Sequence, residues 1–180
     1  MKLETSRLYL RPFKPSDIIE TYLKALNDIS IIGQTESRHK KWDKKSATDF
    51  VKSASTKTSK IFGVFIKETH KPIGNIRIFN IHSIHMRAEL SFLFYDKQEW
   101  SKGYGTEALE ALLNYGFNEL NLHRIVADYY ATNTASEKVF GKLEFIVEGV
   151  FKDHFVNENN EFVDSIRVAK FSPRAQISEN

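Results

Sequence analysis

The stretch Trp100-Ser101-Lys102-Gly103-Tyr104-Gly105-Thr106-Glu107-Ala108 constrains this chain more than any other. It follows the polar turn Asp96-Lys97-Gln98-Glu99. It opens a run in which Ala108, Leu109, Leu112, Leu113, Gly116, Phe117 and Leu120 recur at helical spacing, which predicts a helix from about Gly103 to Leu120. Two glycines one residue apart remove side chains where the backbone enters that helix. The first N–H groups of a helix lack intrahelical partners, and its dipole makes that end partly positive. The segment therefore reads as a socket for a phosphate or pyrophosphate.

Around it the pattern alternates between strands and helices. Leu8 to Phe13 reads as a strand with one wet face. Pro15 and Asp17 open a helix, with Asp17 and Glu20 at capping-box spacing and Ile18, Ile19, Tyr22, Leu23 and Leu26 as its stripe. Ile29 to Lys60 is harder to read and holds a second helix over about Ser46–Ser55. Strand-like runs follow at Ile61–Lys67, Ile73–Asn80 and Arg87–Phe94, the first two joined by the hairpin-length turn Glu68-Thr69-His70-Lys71. Beyond the motif helix come a strand at Arg124–Tyr130 and a helix at Thr134–Leu143, capped near Thr132 or Asn133. Two strands follow, Phe145–Asp153 and Phe162–Phe171, about the turn Asn157–Asn160. The order β-α-α-β-β-β-α-β-α-β-β implies a mixed α/β sheet covered by helices.

At 180 residues the chain reads as one domain, residues 1–180, with a sizeable core. An apolar fraction of 41% and a charged fraction of 27% are those of a soluble globular protein. No apolar run approaches a membrane span, and Met1-Lys2-Leu3-Glu4-Thr5 turns polar too soon for a signal peptide. The absence of cysteine excludes disulfides, thiolate metal sites and a cysteine nucleophile, and fits a cytoplasmic protein. A net charge of +3 does not point to nucleic acid.

Gly103-x-Gly105-x-x-Ala108 formally matches the dinucleotide fingerprint, with Asp128 about 20 residues on. That fold needs a buried strand running directly into the first glycine. Asp96-Lys97-Gln98-Glu99 is too polar for one, and too little chain follows.

Glu89-Leu90-Ser91-Phe92-Leu93-Phe94, a turn and then Trp-x-x-Gly-x-Gly opening a helix instead resembles the acetyl-CoA site of the GNAT N-acetyltransferases. Leu3 to Pro12, Leu120-Asn121-Leu122-His123-Arg124-Ile125, Asn133-Thr134-Ala135-Ser136, Lys142-Leu143-Glu144-Phe145 and Glu148-Gly149-Val150 look like signatures of its RimJ/RimL-like branch, in the same order. The resemblance implies a mostly antiparallel GNAT-like sheet with splayed central strands, here Arg87–Phe94 and Arg124–Tyr130, flanked by helices. It implies acetyl-CoA as co-substrate, no metal, and transfer to a primary amine. A protein N-terminus is the first acceptor. A polyamine or aminoglycoside is the next, and a catalytically weak acyl-CoA-binding module is the reading from another class. The quaternary state is a monomer or a homodimer, with no membrane or nucleic-acid partner.

Carried over, the pantetheine amides pair around Phe94 and Tyr95, and the pyrophosphate sits on the N–H groups of Ser101, Lys102, Gly103, Tyr104, Gly105 and Thr106. Trp100 stands where many relatives have Gln or Arg, and its role there is packing. Lys102 either adds charge near the phosphates or is simply solvated. Asn133 is a CoA contact or a helix cap. Glu89 is the candidate general base, or else a carboxylate on a solvent-facing strand position. Phe140 stands among the cofactor-contacting residues where relatives carry a tyrosine acid, and it cannot donate a proton. Ser136 is the substitute acid, or else a capping or surface serine. Glu144 replaces a family glycine that serves a left-handed turn, which implies a strained or altered turn there.

The histidines 82, 85, 123 and 154 lack the close spacing of a metal site, and structural or surface roles suit them. His154 is a candidate acceptor-pocket residue. The basic run Arg38-His39-Lys40-Lys41-Trp42-Asp43-Lys44-Lys45 is either a solvated loop or a surface for an acidic partner, such as an acidic protein or RNA.

Overall fold

A chain that alternates apolar runs with polar turns can bury them all by pairing the runs edge to edge and laying helices on both faces. The computed structural model, which describes residues 1–173, does this with one eight-stranded sheet. Its strands are β1 Leu3–Glu4, β2 Leu8–Pro12, β3 Lys60–Ile66, β4 Pro72–His82, β5 Arg87–Phe94, β6 Arg124–Tyr130, β7 Ile146–Val156 and β8 Phe162–Phe171. They lie in the order β1-β2-β3-β4-β5-β6-β8-β7, and every neighbouring pair is antiparallel except β5–β6. A parallel pair needs a long crossover. Here it is helix α4, Tyr104–Asn114, continued by one π-helical stretch, Tyr115–Glu119. The expected Gly103–Leu120 helix is thus present, with its last turn widened. Gly116 lets that turn press on the sheet, since a Cβ there would stand 2.5 Å from Ile125 Cδ1.

Two cores result, one on each face. Under α4, Leu109 and Leu112 pack on Leu8, Leu10, Phe62, Ile76, Ile78 and Ile125, all essentially inaccessible. Each such side chain stabilises the fold by about 1.5–3 kcal/mol relative to exposure. On the other face, Phe13, Tyr22, Trp42, Val51 and Tyr95 pack beneath helices α1 Glu20–Ala25 and α3 Lys44–Ser53. Between them lies the single-turn helix α2, Ile29–Ile32, in the stretch where the sequence pattern was weakest. Among the described residues no helix is long and apolar enough to cross a membrane.

Three local expectations shift. The Asp17–Glu20 capping box does not form. Arg11 captures the Asp17 carboxylate through two bonds of 2.7 Å, and Lys14 N–H donates to it at 2.8 Å. Asp17 therefore closes a 3-10 turn, Pro15–Asp17, and α1 starts only at Glu20. Helix α3 begins two residues before the expected Ser46, because Asp43 caps it in a reciprocal box with Ser46. Strand β7 runs on to Val156, pairing with Phe162 beyond a register shift.

Of the two Glu144 expectations, the altered turn is not found and the strained one is. Helix α5, Thr134–Lys142, ends with Glu144 at φ 55°. Glu144 N–H donates to Gly141 O at 3.0 Å and Phe145 N–H to Phe140 O at 3.0 Å. The Phe140 and Phe145 rings meet edge-on at 4.9 Å. This is a Schellman stop with glutamate in the left-handed position that favours glycine. A non-glycine residue there costs about 1–2 kcal/mol, offset in part by the greater unfolded-state freedom of glycine. The side chain adds only a 3.3 Å contact from Lys170 while 86% exposed. Glu144→Gly is expected to raise the melting temperature by about 2–4 °C; a lower value by thermal denaturation would contradict the strained turn.

Candidate active site

The parallel ladder between β5 and β6 is short. Arg87 pairs with Arg124, Ala88 with Ile125 and Glu89 with Val126, and there it stops. Strand β5 continues to Phe94, still held by β4 as far as Gly74. Strand β6 continues to Tyr130, still held by β8 as far as Ser165. Each strand therefore keeps its outer partner and loses its inner one. The inner-edge backbone groups beyond Glu89 and Val126 face a cleft, where a ligand with amide groups can satisfy them.

Side chains on the two faces of this cleft differ. Ala88 and Leu90 lie in the core under α4, with Phe92 and Phe94 packed against it. The aromatic floor is Phe140, 3% exposed, set between Phe92 at 5.7 Å and Tyr129 at 5.5 Å. Phe140 thus lies beneath the cleft rather than on its surface. The Tyr95 side chain turns away from that of Phe94, which leaves the backbone pairing expected around the two residues untouched. Successive strand residues point to opposite faces, and Tyr95 packs on Tyr22 at 5.1 Å in the second core. Burial there pushes its phenol well above the ordinary range.

The remaining motif residues gather at the N-terminus of α4. Ser101 and Gly103 adopt left-handed backbone, φ 62° and 84°. The first helical bond is Glu107 N–H to Gly103 O at 3.1 Å, so the N–H groups of Tyr104, Gly105 and Thr106 precede it. The face of Gly105 is clear except for the Phe94 ring, 3.4 Å from where a Cβ would stand. Trp100 is anchored by a hydrogen bond and is not packed away: its ring stays exposed, and its indole N–H donates to Phe94 O at 2.8 Å, tying the turn to the end of β5. Lys102 is engaged by Glu99 at 2.7 Å, and Glu99 also meets Lys71 at 3.1 Å. Hydrogen bonds from Lys102 and then Lys71 hold Glu99 below its usual range.

Glu89 occupies the last paired position, where the strands part. With Ala88 and Leu90 turned to α4, its half-buried carboxylate faces the opposite side, accepting from Asn80 Nδ2 at 2.9 Å. On that face Asp128 pairs with Arg167 through bonds of 2.8 and 2.6 Å. The hydrogen bonds to Asp128 raise the Arg167 pKa first, with the charges of Glu89 and Glu148 adding to it. Asn133 accepts from Ser136 N–H at 3.0 Å, so its amide oxygen caps α5, and Ser136 is buried in that first turn.

A segment unread in the sequence roofs the cleft on this second face. Asp28 meets Lys97, just after β5, at 2.9 Å. Further on, Gln34 donates to Thr132 O at 3.4 Å, Tyr130 donates to Glu36, and Arg38 donates to Val156 O. Residues 28–38 thus bridge the separated ends of β5 and β6. Burial, and then the bond to Glu36, push the Tyr130 phenol up to about 12. Its ring stacks on Phe155 at 4.3 Å, and His154 meets Phe155 at 5.0 Å. Arg38, His39, Lys40 and Lys41 line an open surface depression of about 360 Å³ together with Leu26 and Ile32. Among the described residues no three His, Asp or Glu converge on one point.

The GNAT acetyltransferase domain model matches residues 7–146. The uncharacterised N-acetyltransferase YnaD of Bacillus subtilis is 30% identical over 166 residues, covering 91% of this chain and 93% of its own. A spermidine N-acetyltransferase from Vibrio cholerae, in complex with CoA and spermine, superposes with a TM-score of 0.82 at 20% identity, covering 93% and 96% of the two chains. RimL, a ribosomal L7/L12 alpha-N-protein acetyltransferase in complex with coenzyme A, gives 0.84 at 16%, covering 95% and 98%. With the splayed pair, the glycine-opened helix and a matching family model, the chain belongs to the GNAT family and is an acetyl-CoA-dependent N-acetyltransferase.

Proposed function

We propose that the chain, acting as a single domain, acetylates the N-terminal amine of a polypeptide by direct attack in a ternary complex. The observation that carries this is the break in β5–β6 pairing beyond Glu89, flanked by the open N-terminus of α4. In the proposed arrangement the pantetheine amides of acetyl-CoA pair with the open strand edges, near Phe94. The pyrophosphate rests on the N–H groups from Ser101 to Thr106. Donor and acceptor then enter from opposite faces of the sheet.

The amine nitrogen attacks the thioester carbonyl carbon, the C–S bond breaks, and the sulfur leaves as a thiolate. Glu89 takes the proton from the amine, directly or through water. Ser136, or solvent, returns a proton to the sulfur. An N-terminal amine, with a pKa of about 8 against about 10 for lysine, asks less of such a base. The chain has no cysteine, which favours direct attack over a thiol-borne acyl intermediate.

Charge near the roof supports a polypeptide over a polyamine. Glu89 suits one ammonium at the cleft, Asp128 being engaged by Arg167. A second ammonium reaching the depression lined by Arg38, Lys40 and Lys41 would meet like charge. The V. cholerae spermidine enzyme shares the fold, so spermidine is the competing acceptor.

Gly105→Asp is expected to weaken acetyl-CoA on the order of 100-fold by calorimetry. It sets a carboxylate beside phosphate, worth about 3 kcal/mol at an effective dielectric near 20. Unchanged affinity in a folded variant would refute the pyrophosphate placement. Glu89→Gln is expected to lower kcat roughly 100-fold while leaving acetyl-CoA affinity intact; equal turnover removes Glu89 from the mechanism. In a thiol-release assay, N-terminal peptides are expected to outperform spermidine and an aminoglycoside in kcat/KM. Preference for spermidine would reassign the acceptor, and acetyl-CoA binding with no turnover on any of them would favour an acyl-CoA-binding module.

A further inference from the structure

We infer that Arg7, from the turn before β2, positions the phosphate-binding turn of α4 and presents its guanidinium to the phosphates of the acyl donor. This rests on the pyrophosphate placement proposed above, and it adds a residue from an element nearly a hundred positions away in sequence.

Glu107 poses the problem that Arg7 solves. It lies in the first turn of α4, and a carboxylate there competes with any anionic ligand for the positive end of the helix. Its oxygens are saturated from outside the helix. Thr5 Oγ1 donates at 2.5 Å, Ser6 Oγ at 3.1 Å, Arg7 N–H at 2.8 Å and Arg7 Nε at 2.7 Å, while Arg7 Nη2 stands 2.7 Å away. Burial works against the Glu107 charge, yet the hydrogen bonds from Thr5, Arg7 and Ser6 hold its pKa below the ordinary carboxylate range. Arg7 therefore cancels a fixed negative charge at the mouth of the socket.

The same guanidinium reaches the turn itself. Arg7 Nη1 donates to Lys102 O at 2.9 Å, and its plane lies over the Tyr104 ring at 4.6 Å. Its Nη2 is 3.4 Å from where a Cβ on Gly103 would stand, so it sits beside the left-handed residue that opens the helix. A guanidinium carries five N–H donors in a fixed fork. Bonds to Glu107 and Lys102 O engage one each on Nε, Nη1 and Nη2. The other two lie on a side chain that is 47% exposed. A lysine could supply the charge but not this fork. Lys102, the more obvious cation of the motif, is already engaged by Glu99.

A staple that merely joined the N-terminal strands to α4 would show the same bonds. The two roles separate by comparing acetyl-CoA with acetyl-pantetheine, which carries the thioester but no phosphate. Arg7→Ala is expected to raise KM for acetyl-CoA about 30-fold, with kcat within threefold of wild type and KM for acetyl-pantetheine unchanged. Arg7→Lys is expected to recover part of the loss, and it serves alone if Arg7→Ala does not fold. Equal effects on both donors, or no effect on either, would reduce Arg7 to a staple and overturn the inference. Should the wild type fail to prefer acetyl-CoA over acetyl-pantetheine, the pyrophosphate placement itself fails. Should it prefer acetyl-CoA, and Gly105→Asp but not Arg7→Ala erase that preference, only the role of Arg7 falls.

Discussion

Two parallel strands that pair for three residues and then separate are held apart by what grips their outer edges. Strand β5 is bound to β4 along its length, and β6 to β8, through antiparallel ladders that continue past the point of parting. Those outer ladders tie each strand to its own half of the sheet, so the gap lies between two separately held halves. The gap is therefore a consequence of the sheet and not of a flexible edge. Its unpaired backbone must find partners elsewhere, which makes the cleft a binding feature by construction.

Aromatic packing spans the gap on the α4 face and anchors the end of β5 on the other. On the α4 face, the Phe140 ring stands between Phe92 on β5 and Tyr129 on β6, so α5 is wedged across the divide. On the other face, Tyr95 leans on Tyr22, whose hydroxyl accepts from Asn75 Nδ2 at 3.2 Å. A phenylalanine suits a position this deep, where a hydroxyl would need its own buried partner. The Schellman stop at Glu144 belongs to the same wedge, since Phe145 packs on Phe140. The cost of the left-handed glutamate sits in a turn that orients the floor of the cleft.

Periodicity made β3 to β6, α4 and α5 legible, because each buries one face or a whole strand and neighbouring residues reveal it. The same rule sends the Phe94 and Tyr95 side chains to opposite cores, as adjacent strand residues point apart. It would also have placed Phe140 with Ser136, one helical turn away and likewise buried. The roof over the cleft had no such signal. Glu36 reaches Tyr130 across 94 positions and Arg38 reaches Val156 across 118. Arg7 and Glu107 are 100 apart. Such pairs arise from topology, and no local spacing announces them. Asp17 shows the converse failure: its spacing to Glu20 matched a capping box, but a nearby guanidinium took the carboxylate.

Charge is sorted by sheet face in a way that suits a reaction between two separately bound partners. At the N-terminus of α4, the carboxylates Glu107 and Glu99 are each answered by a cation from a distant element, Arg7 and Lys71. This leaves the helix N–H groups facing outward without a competing anion of the protein's own. Across the sheet, Glu89 puts a carboxylate where an ammonium would arrive, while Asp128 is held in a two-bond pair by Arg167 near the Tyr130 phenol, which burial keeps neutral. In the proposed reaction, an anionic donor and a cationic acceptor would each find the wrong face repulsive. They could then meet only where the ladder between the faces is missing. In that proposal the break after Glu89 is both a docking edge and a passage, and the Glu89 carboxylate at its apex would take the proton that the meeting releases.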